Sequence, residues 1–391
     1  MVKNMAFTVG APVEGNDFLN RVKEIKQVLE SIKKDNILFI SPRRFGKTSV
    51  MKETLRLIQN QHNICIYMDI GYFESPQQFV LELTNSFLEA LDKKNRKSLM
   101  KKILSTIGKK ASRVEEIEIF DFRIKLREAL TKDWDEKGNA VIKKILREFS
   151  EENIFIAVDE IPECVKAIVK DNPKEALRFL RWLRSIRQKY RQIKFMFGGS
   201  ISFDREVKRF NDTSVLNDLK RIKIGGFSKN DAVNMIETCF KKMDLKYRRG
   251  FAEEILNCIG EPYIPYFISV MLSIIETHAY EGLTEHKIRE YYELRLLGTE
   301  GKGYFEQYKE RLKKYPFEKS AREILKKISN TENYPLSSAY GIFRKVEGRD
   351  DEDYFNDLIV ELENDFYIVR DNINISFYSK LLKDWWVSYY G

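Results

Sequence analysis

The sequence has few of the residues that build disulfide frameworks or zinc sites. It contains 4 cysteines and 3 histidines among 391 residues. Cys65, Cys164, Cys239 and Cys258 show no CxxC spacing, and no histidine stands at a ligand spacing from a cysteine. We therefore expect free thiols in a reducing cytoplasm and no structural metal.

Long hydrophobic runs are also missing. The longest apolar stretch covers residues 263–275, contains Pro265 and is too short to span a bilayer, so it is predicted to be a buried helix. Residues 1–8 lack the apolar core of a signal peptide. These absences predict a cytoplasmic protein with no membrane partner.

What remains is the composition of an ordinary soluble protein. Hydrophobic residues make up 43% and charged residues 32% of 391 positions, which is long enough for two or three domains. The formal net charge of +9 favours an acidic partner only weakly, because it is spread over a long chain.

The segment from Ser41 to Ser49, Ser-Pro-Arg-Arg-Phe-Gly-Lys-Thr-Ser, has the pattern of a phosphate-binding loop. It follows the apolar run of residues 36–40 and precedes a helical pattern, which is the context that such a loop requires. Backbone N–H groups would cradle the phosphates, Lys47 would reach the β- and γ-phosphates, and Thr48 would help hold Mg²⁺. The predicted nucleotide-binding residues here are Arg43, Arg44, Phe45, Gly46, Lys47, Thr48 and Ser49. Ser41 replaces the usual first glycine, and the alternative is a strand that ends in a basic loop by chance.

A second motif, which is acidic, follows the apolar run of residues 153–158. Asp159 and Glu160 follow this run directly, where open α/β sheets bind their ligands. Asp159 is predicted to hold Mg²⁺ with Thr48, and Glu160 to orient and polarise the attacking water. The alternative is that the pair only caps the helix that follows.

The remaining pattern predicts an α/β fold, a three-layer parallel-sheet core. Its strands are expected at residues 36–40, 64–70, 153–158, 193–197 and 221–224. The fourth strand ends in Gly198-Gly199-Ser200, which either lets Ser200 approach the γ-phosphate or is a simple turn. Lys47, Glu160 and Ser200 are the predicted catalytic residues.

The rest of the chain is predicted to be a helical lid followed by a winged helix. Helical patterns run from Ser228 to about residue 297 and are interrupted by Gly260-Glu-Pro262. From residue 317 the pattern gives three helices and then a hairpin of residues 367–370 and 373–377, which is the order of a winged helix.

Two charged segments leave their roles open. Residues 92–150 are helical and rich in lysine and arginine, which indicates either a solvated face or contact with nucleic acid or an acidic partner. The third winged-helix segment, residues 347–365, carries nine carboxylates beside one arginine, Arg349. We therefore expect that this helix does not enter a DNA groove.

Together these motifs resemble P-loop ATPases of the AAA+ superfamily. More narrowly, they resemble a prokaryotic, archaeal-type ATPase family related to STAND-type and origin-recognition ATPases. The resemblance implies ATP or ADP with Mg²⁺, a core over residues 1–226, a lid and linker over 227–313 and a winged helix over 314–391. It also implies that Arg21, in the lead-in of residues 12–24, and Pro262, in the lid, lie at the adenine, and that Ser200 stands at the sensor position.

The function predicted from these residues is an ATP-binding and slowly ATP-hydrolysing switch, whose nucleotide state controls the lid and the winged helix. One alternative is a DNA-binding ATPase related to origin-recognition proteins. The other is a nucleotide-bound scaffold with negligible turnover. A protein partner is expected at the winged helix or the basic helices, and DNA is possible but not favoured.

Overall fold

The computed structural model describes residues 9–15, 18–60, 62–108, 118–199, 203, 207, 210, 212–279 and 282–390. Ser200 and part of the predicted basic segment, including Lys109, Lys110 and Arg113, lie outside the described residues. The chain divides into two compact units. The sheet unit consists of Val22–Ile40 and Thr48–Lys223, and the helical unit consists of the chain up to Arg21, Ser41–Lys47 and Ile224–Gly391.

The sheet unit is built on five parallel strands. They are β1 (Asn36–Ile40), β2 (Asn63–Asp69), β3 (Asn153–Asp159), β4 (Ile193–Gly199) and β5 (Leu219–Lys223), in the order β2-β3-β4-β1-β5. The predicted three-layer α/β core is confirmed, and the continuous apolar run of β3 is buried along most of its length as a central parallel strand should be. Because the strands are parallel, Asp69 pairs with Asp159 and Ile40 pairs with Gly199 at one edge of the sheet.

Eight helices are described before β5; one precedes β1, and the others lie between successive strands from β1 to β4. They are α1 (Val22–Ile32), α2 (Lys47–Ile58), α3 (Pro76–Glu89), α4 (Lys93–Thr106), α5 (Ile119–Ala129), α6 (Trp134–Glu148), α7 (Ile161–Asp171) and α8 (Pro173–Lys189). Side-chain oxygens cap several of them: Ser75 accepts from the Gln78 N–H at α3, and Asn172 accepts from two N–H groups at α8. These caps stabilise the helices whose apolar faces cover the sheet.

The helical unit first forms a bundle. Its helices are α9 (Lys229–Lys242), α10 (Arg249–Ile259), α11 (Pro265–His278), α12 (Glu285–Glu290), a π-helical turn (Tyr291–Leu296) and α13 (Lys302–Leu312). The apolar stretch predicted to be a buried helix is α11, in which nine residues are buried. Among the described residues, no helix combines the length and the apolar character that crossing a bilayer requires.

The chain ends in a winged helix, as predicted. Helices α14 (Glu318–Ile328), α15 (Leu336–Glu347) and α16 (Glu352–Asn364) precede strands β7 (Ile368–Arg370) and β8 (Asn374–Phe377). A short strand, β6 (Tyr334–Pro335), completes an antiparallel sheet in the order β6-β8-β7, and α17 (Lys380–Tyr390) follows. One continuous core joins the bundle to this winged helix, and it includes Phe45 of the phosphate-loop segment.

Candidate nucleotide site

The predicted phosphate loop joins β1 to α2. Gly46 has a φ of +83° and Arg44 a φ of +72°, so two of its residues take the left-handed conformation. Left-handed residues in a loop before a helix turn successive N–H groups toward one concavity, which is how such loops bind anions. Ser41 is 2% exposed, and its hydroxyl donates to the carbonyl of Ile224 at 3.1 Å. Ser41 therefore stands where this motif usually has glycine, and its hydroxyl makes a hydrogen bond that glycine could not make.

Phe45 of the loop is buried in the winged-helix core. Its side chain is 1% exposed, and its ring centroid lies 5.9 Å from that of Phe366 and 6.2 Å from that of Tyr378. The loop motif predicts Phe45 as a nucleotide-binding residue. The side chain of Phe45 packs in this core, so only its backbone is available to contact a phosphate.

Arg44 contacts the helical bundle. Its Nε and Nη2 atoms donate to Oε1 of Gln307 at 3.2 and 2.9 Å, and its guanidinium lies 4.4 Å from the ring centroid of Tyr266. A guanidinium over a tyrosine face is an attractive cation–π arrangement. Arg44 therefore links the loop to α11 and α13. Arg43, the neighbouring predicted residue, is exposed.

Arg21 ties the lead-in segment to the loop. It is 4% exposed and has a φ of +72°. Its Nη2 donates to the carbonyl of Phe45 at 2.9 Å and to that of Gly225 at 2.7 Å, and its guanidinium lies 4.5 Å from the ring of Phe227. These contacts give Arg21 a role in holding the loop in place.

Pro262 lies against the segment Gly225–Phe227, which Arg21 also contacts. A side chain at Gly226 would come within 3.2 Å of Pro262 Cβ, and the Phe227 N–H donates to the carbonyl of Tyr263 at 2.8 Å. The structure thus brings Arg21 and Pro262, the two predicted adenine residues, to the segment Gly225–Phe227.

The predicted metal ligands meet in the sheet unit. Thr48 Oγ1 donates to Asp159 Oδ2 at 2.5 Å, and the Glu160 N–H donates to Asp159 Oδ1 at 2.9 Å. Asp159 is 2% exposed. Mg²⁺ prefers one or two carboxylates completed by phosphates and water, and a hydroxyl beside one carboxylate fits that preference. Among the described residues no group of three or more His, Cys, Asp and Glu side chains could hold a metal, so bound phosphates would have to supply further ligands.

Gly198 makes room for the Asp159 carboxylate. A Cβ built on Gly198 would overlap Asp159 Oδ1 and come within 3.0 Å of its Cγ. The sequence pattern predicts either that Gly198 and Gly199 let Ser200 approach the γ-phosphate or that they form a simple turn. The structure shows that the close approach at Gly198 is that of Asp159 itself.

The side chain of Glu160 does not cap helix α7, which begins at the next residue. Glu160 occupies the N-cap position of α7 with a φ of +57°, and its side chain makes no hydrogen bond to the first turn. Its Cβ lies 3.1 Å from the place where a Gly71 side chain would begin, close to Asp69 at the end of β2. The Glu160 carbonyl accepts from the Glu163 N–H at 3.1 Å, whereas its side chain makes no capping bond to α7, and the catalytic role of the side chain stays a prediction.

Tyr67 is a residue that the sequence analysis missed. Its hydroxyl lies 3.4 Å from Asp159 Oδ2, and Lys52 Nζ lies 4.9 Å from its ring centroid. Burial, followed by the charge of Asp159, raises the pKa of Tyr67, so the phenol stays protonated and able to donate. Its position in β2, two residues before Asp69, was a signal, because alternate strand residues share a face.

Two predicted residues complete the loop. Lys47 and Ser49 open α2; Lys47 is partly exposed and Ser49 is 8% exposed. Ser200, the predicted sensor, lies outside the described residues.

The comparisons with known proteins agree with this geometry. A family model described as an ATPase domain predominantly from Archaea matches residues 18–264, more than half of the 391-residue chain. No curated protein matches the sequence.

Two solved structures share the fold. The Walker-type ATPase of Pyrococcus abyssi superposes with a TM-score of 0.68 at 15% identity, covering 97% of this chain and 99% of that one. The ORC2 protein of Aeropyrum pernix, solved in ADPNP–ADP complexes, gives a TM-score of 0.54 at 10% identity, covering 93% and 92%. The chain is a P-loop ATPase of the AAA+ kind and belongs to the ATPase domain family found predominantly in Archaea.

Proposed function

We propose that this ATPase is a cytoplasmic switch in which slow ATP hydrolysis changes the packing of the helical bundle and the winged helix. The observation that carries the proposal is Phe45, which lies within the phosphate loop and is buried against Phe366 and Tyr378 of the winged helix. A loop that adjusts to the γ-phosphate must move this ring or be held by it.

The hydrolytic residues have separate roles in this proposal. Loop N–H groups and Lys47 hold the phosphates, and Glu160 orients the attacking water and accepts its proton as the bond to the γ-phosphorus forms and the β–γ bridge breaks. Thr48 and Asp159 would hold Mg²⁺, which supplies charge neutralisation when bound. Tyr67 donates toward Asp159 Oδ2 and keeps that carboxylate oriented.

A second contact supports the link between the lid and the winged helix. Lys380 Nζ, at the start of α17, donates to the carbonyl of Cys258 at 2.9 Å and to Asp384 Oδ2 at 2.6 Å, and the Tyr292 hydroxyl donates to the same carboxylate oxygen at 2.6 Å. A side chain at Gly260 would come within 2.5 Å of Lys380 Cβ. The turn that carries Pro262 is therefore anchored directly to the last helix of the winged helix.

The test is whether the winged helix senses the γ-phosphate. In a Glu160→Gln background, which slows turnover, ATP and ADP affinities are measured by calorimetry for Tyr378→Leu. We expect the preference for ATP over ADP to change at least about threefold, because the ring that supports Phe45 is lost.

Phe343→Leu is the matched control for this measurement. Phe343 is a fully buried aromatic residue of the same winged helix, and its ring partners Phe317, Tyr340 and Phe355 do not include Phe45. An unchanged preference in Tyr378→Leu would contradict the switch. A chain that binds ATP but never turns it over would instead be a nucleotide-bound scaffold.

A further inference from the structure

Helices α4 and α8 of the sheet unit are both rich in basic residues, but they differ in how many of these residues pair with acidic side chains. Along α8, the arginines have acidic partners: Arg178 pairs with Asp135 at 2.5 Å, Arg181 with Asp212 at 2.9 Å, and Arg187 with Asp218 at 2.8 Å. Arg184 donates to the hydroxyl of Ser214 at 3.0 Å. Three of the six basic residues of α8 therefore have their charge compensated within the fold.

Four of the five lysines of α4 have no acidic partner among the described residues. Lys93, Lys94, Lys97 and Lys101 have no ion pair with any residue in the part of the chain that the structure describes, whereas Lys102 pairs with Glu148 at 2.8 Å. Three of them share one helix face, because spacings of three and four residues return to the same side. They are Lys94, Lys97 and Lys101.

The row formed by Lys94, Lys97 and Lys101 lies on a different face of α4 from its buried residues. Leu99, Met100, Ile103 and Leu104 are buried in the core of the sheet unit. We call Lys94, Lys97 and Lys101 the α4 basic surface.

The α4 basic surface has no apolar anchors. The exposed large hydrophobic residues of the described chain include none from α4; Ile119, Phe120 and Ile124 belong to the neighbouring α5. Protein interfaces are centred on buried aromatic or aliphatic anchors, and membrane-bound helices insert an apolar face. A purely cationic row instead matches the regular negative charge of a nucleic-acid backbone.

We propose that the α4 basic surface binds the phosphate backbone of duplex nucleic acid without reading its sequence. Such contacts neutralise phosphates and release counterions, so that binding weakens steeply with salt. The winged helix is not required for this contact.

The experiment titrates the full-length protein into a fluorescent 20-base-pair duplex of arbitrary sequence at several salt concentrations. Three phosphate contacts predict that log K falls with log [salt] at a slope of about −2.7. The variant Lys94→Ala/Lys97→Ala/Lys101→Ala should reduce the steepness by roughly 2.7 and weaken binding at least about tenfold at low salt. ATP hydrolysis without DNA should be unchanged, which shows that the variant is folded.

A charge-matched variant separates this surface from net charge. Lys319→Ala/Lys326→Ala/Lys327→Ala removes three exposed lysines from α14 and should keep the wild-type affinity and slope. Equal losses in both variants, or no duplex binding by the wild type at low salt, would overturn the proposal. So would binding of poly-glutamate in preference to the duplex, which would make the partner an acidic protein.

Discussion

Asp159 is the residue around which the hydrolytic half of the site is arranged. The hydroxyls of Thr48 and Tyr67 and the N–H of Glu160 all point at its carboxylate, and Gly198 leaves it space. Each of these neighbours can be tested by a single substitution.

Replacing Gly198 with alanine should damage the site through Asp159. The added methyl overlaps Oδ1 of Asp159, so the carboxylate must shift from the position in which Oδ2 accepts from Thr48. We expect the Mg²⁺ concentration needed for half-maximal hydrolysis to rise about tenfold or more, in line with the loss of a ligand-orienting contact. Gly341→Ala is the control, because nothing lies within 4 Å of a side chain built there. A normal Mg²⁺ dependence in Gly198→Ala would show that Asp159 does not hold the metal.

Glu160→Gln should separate binding from hydrolysis. The amide keeps the size of the side chain but cannot accept the proton of the attacking water, so the turnover rate should fall roughly 100-fold or more while ATP still binds. Phosphate release and calorimetry report the two effects. Glu163→Gln, in the first turn of α7, should keep the parent rate. If Glu160→Gln turns over normally, another group activates the water.

Lys47→Ala should weaken ATP binding. Its ammonium is predicted to make a charge-assisted contact with the phosphates worth roughly 1.5–3 kcal/mol, so the dissociation constant should rise about tenfold or more. Lys33→Ala removes the same charge from an exposed position near the end of α1 and should bind ATP normally in the same calorimetric titration. Equal ATP affinity in the two variants would contradict the assignment of residues 41–49 as a phosphate-binding loop.

At the scale of elements, the sequence predicted what depends on local pattern. The first strand was predicted at its observed bounds, and the other four sheet strands were placed within two residues of their observed ends. Apolar runs and the Asp-Glu pair carry that information in their own residues. The predicted domain boundaries stay a prediction, and one core connects the described parts of the lid and the winged helix.

Long-range packing was what the sequence could not show. Phe45 is surrounded in sequence by loop residues, yet it is buried against residues more than 300 positions away. Arg21 likewise has the pattern of a ligand residue, and its bonds to Phe45 and Gly225 depend on the folded chain. Neither partner leaves a periodic signal near these residues.

At the scale of the whole molecule, helices α4 and α16 carry opposite charge. Lys93, Lys94, Lys97 and Lys101 of α4 have no ion pair within the described residues, whereas α16 begins with acidic residues. Asp351 caps α16 by accepting from the Tyr354 N–H at 3.1 Å. Acidic residues at a helix start are stabilising for structural reasons. They also repel phosphates, so the third helix is unsuited to a DNA groove.

Arg349→Ala tests this division of charge. Arg349 lies 5.4 Å from the ring of Phe317 and 5.0 Å from that of Tyr354, so its guanidinium is engaged by aromatic faces. Because α16 should not touch DNA, we expect the duplex affinity of the full-length variant to stay within about twofold of wild type, far from the loss expected for a phosphate contact. A tenfold loss with a shallower salt slope would assign DNA binding to the winged helix.

The most direct measurement of the switch is hydrogen exchange at residues 366–378, which contain the two rings that hold Phe45. Glu160→Gln protein is compared with saturating ATP and with saturating ADP, and α14 serves as an internal reference. The account predicts that amide protection at 366–378 differs between the two nucleotides, that α14 does not change, and that Phe45→Leu abolishes the difference. Identical protection at 366–378 with ATP and ADP, while residues 41–49 respond to the nucleotide, would contradict it.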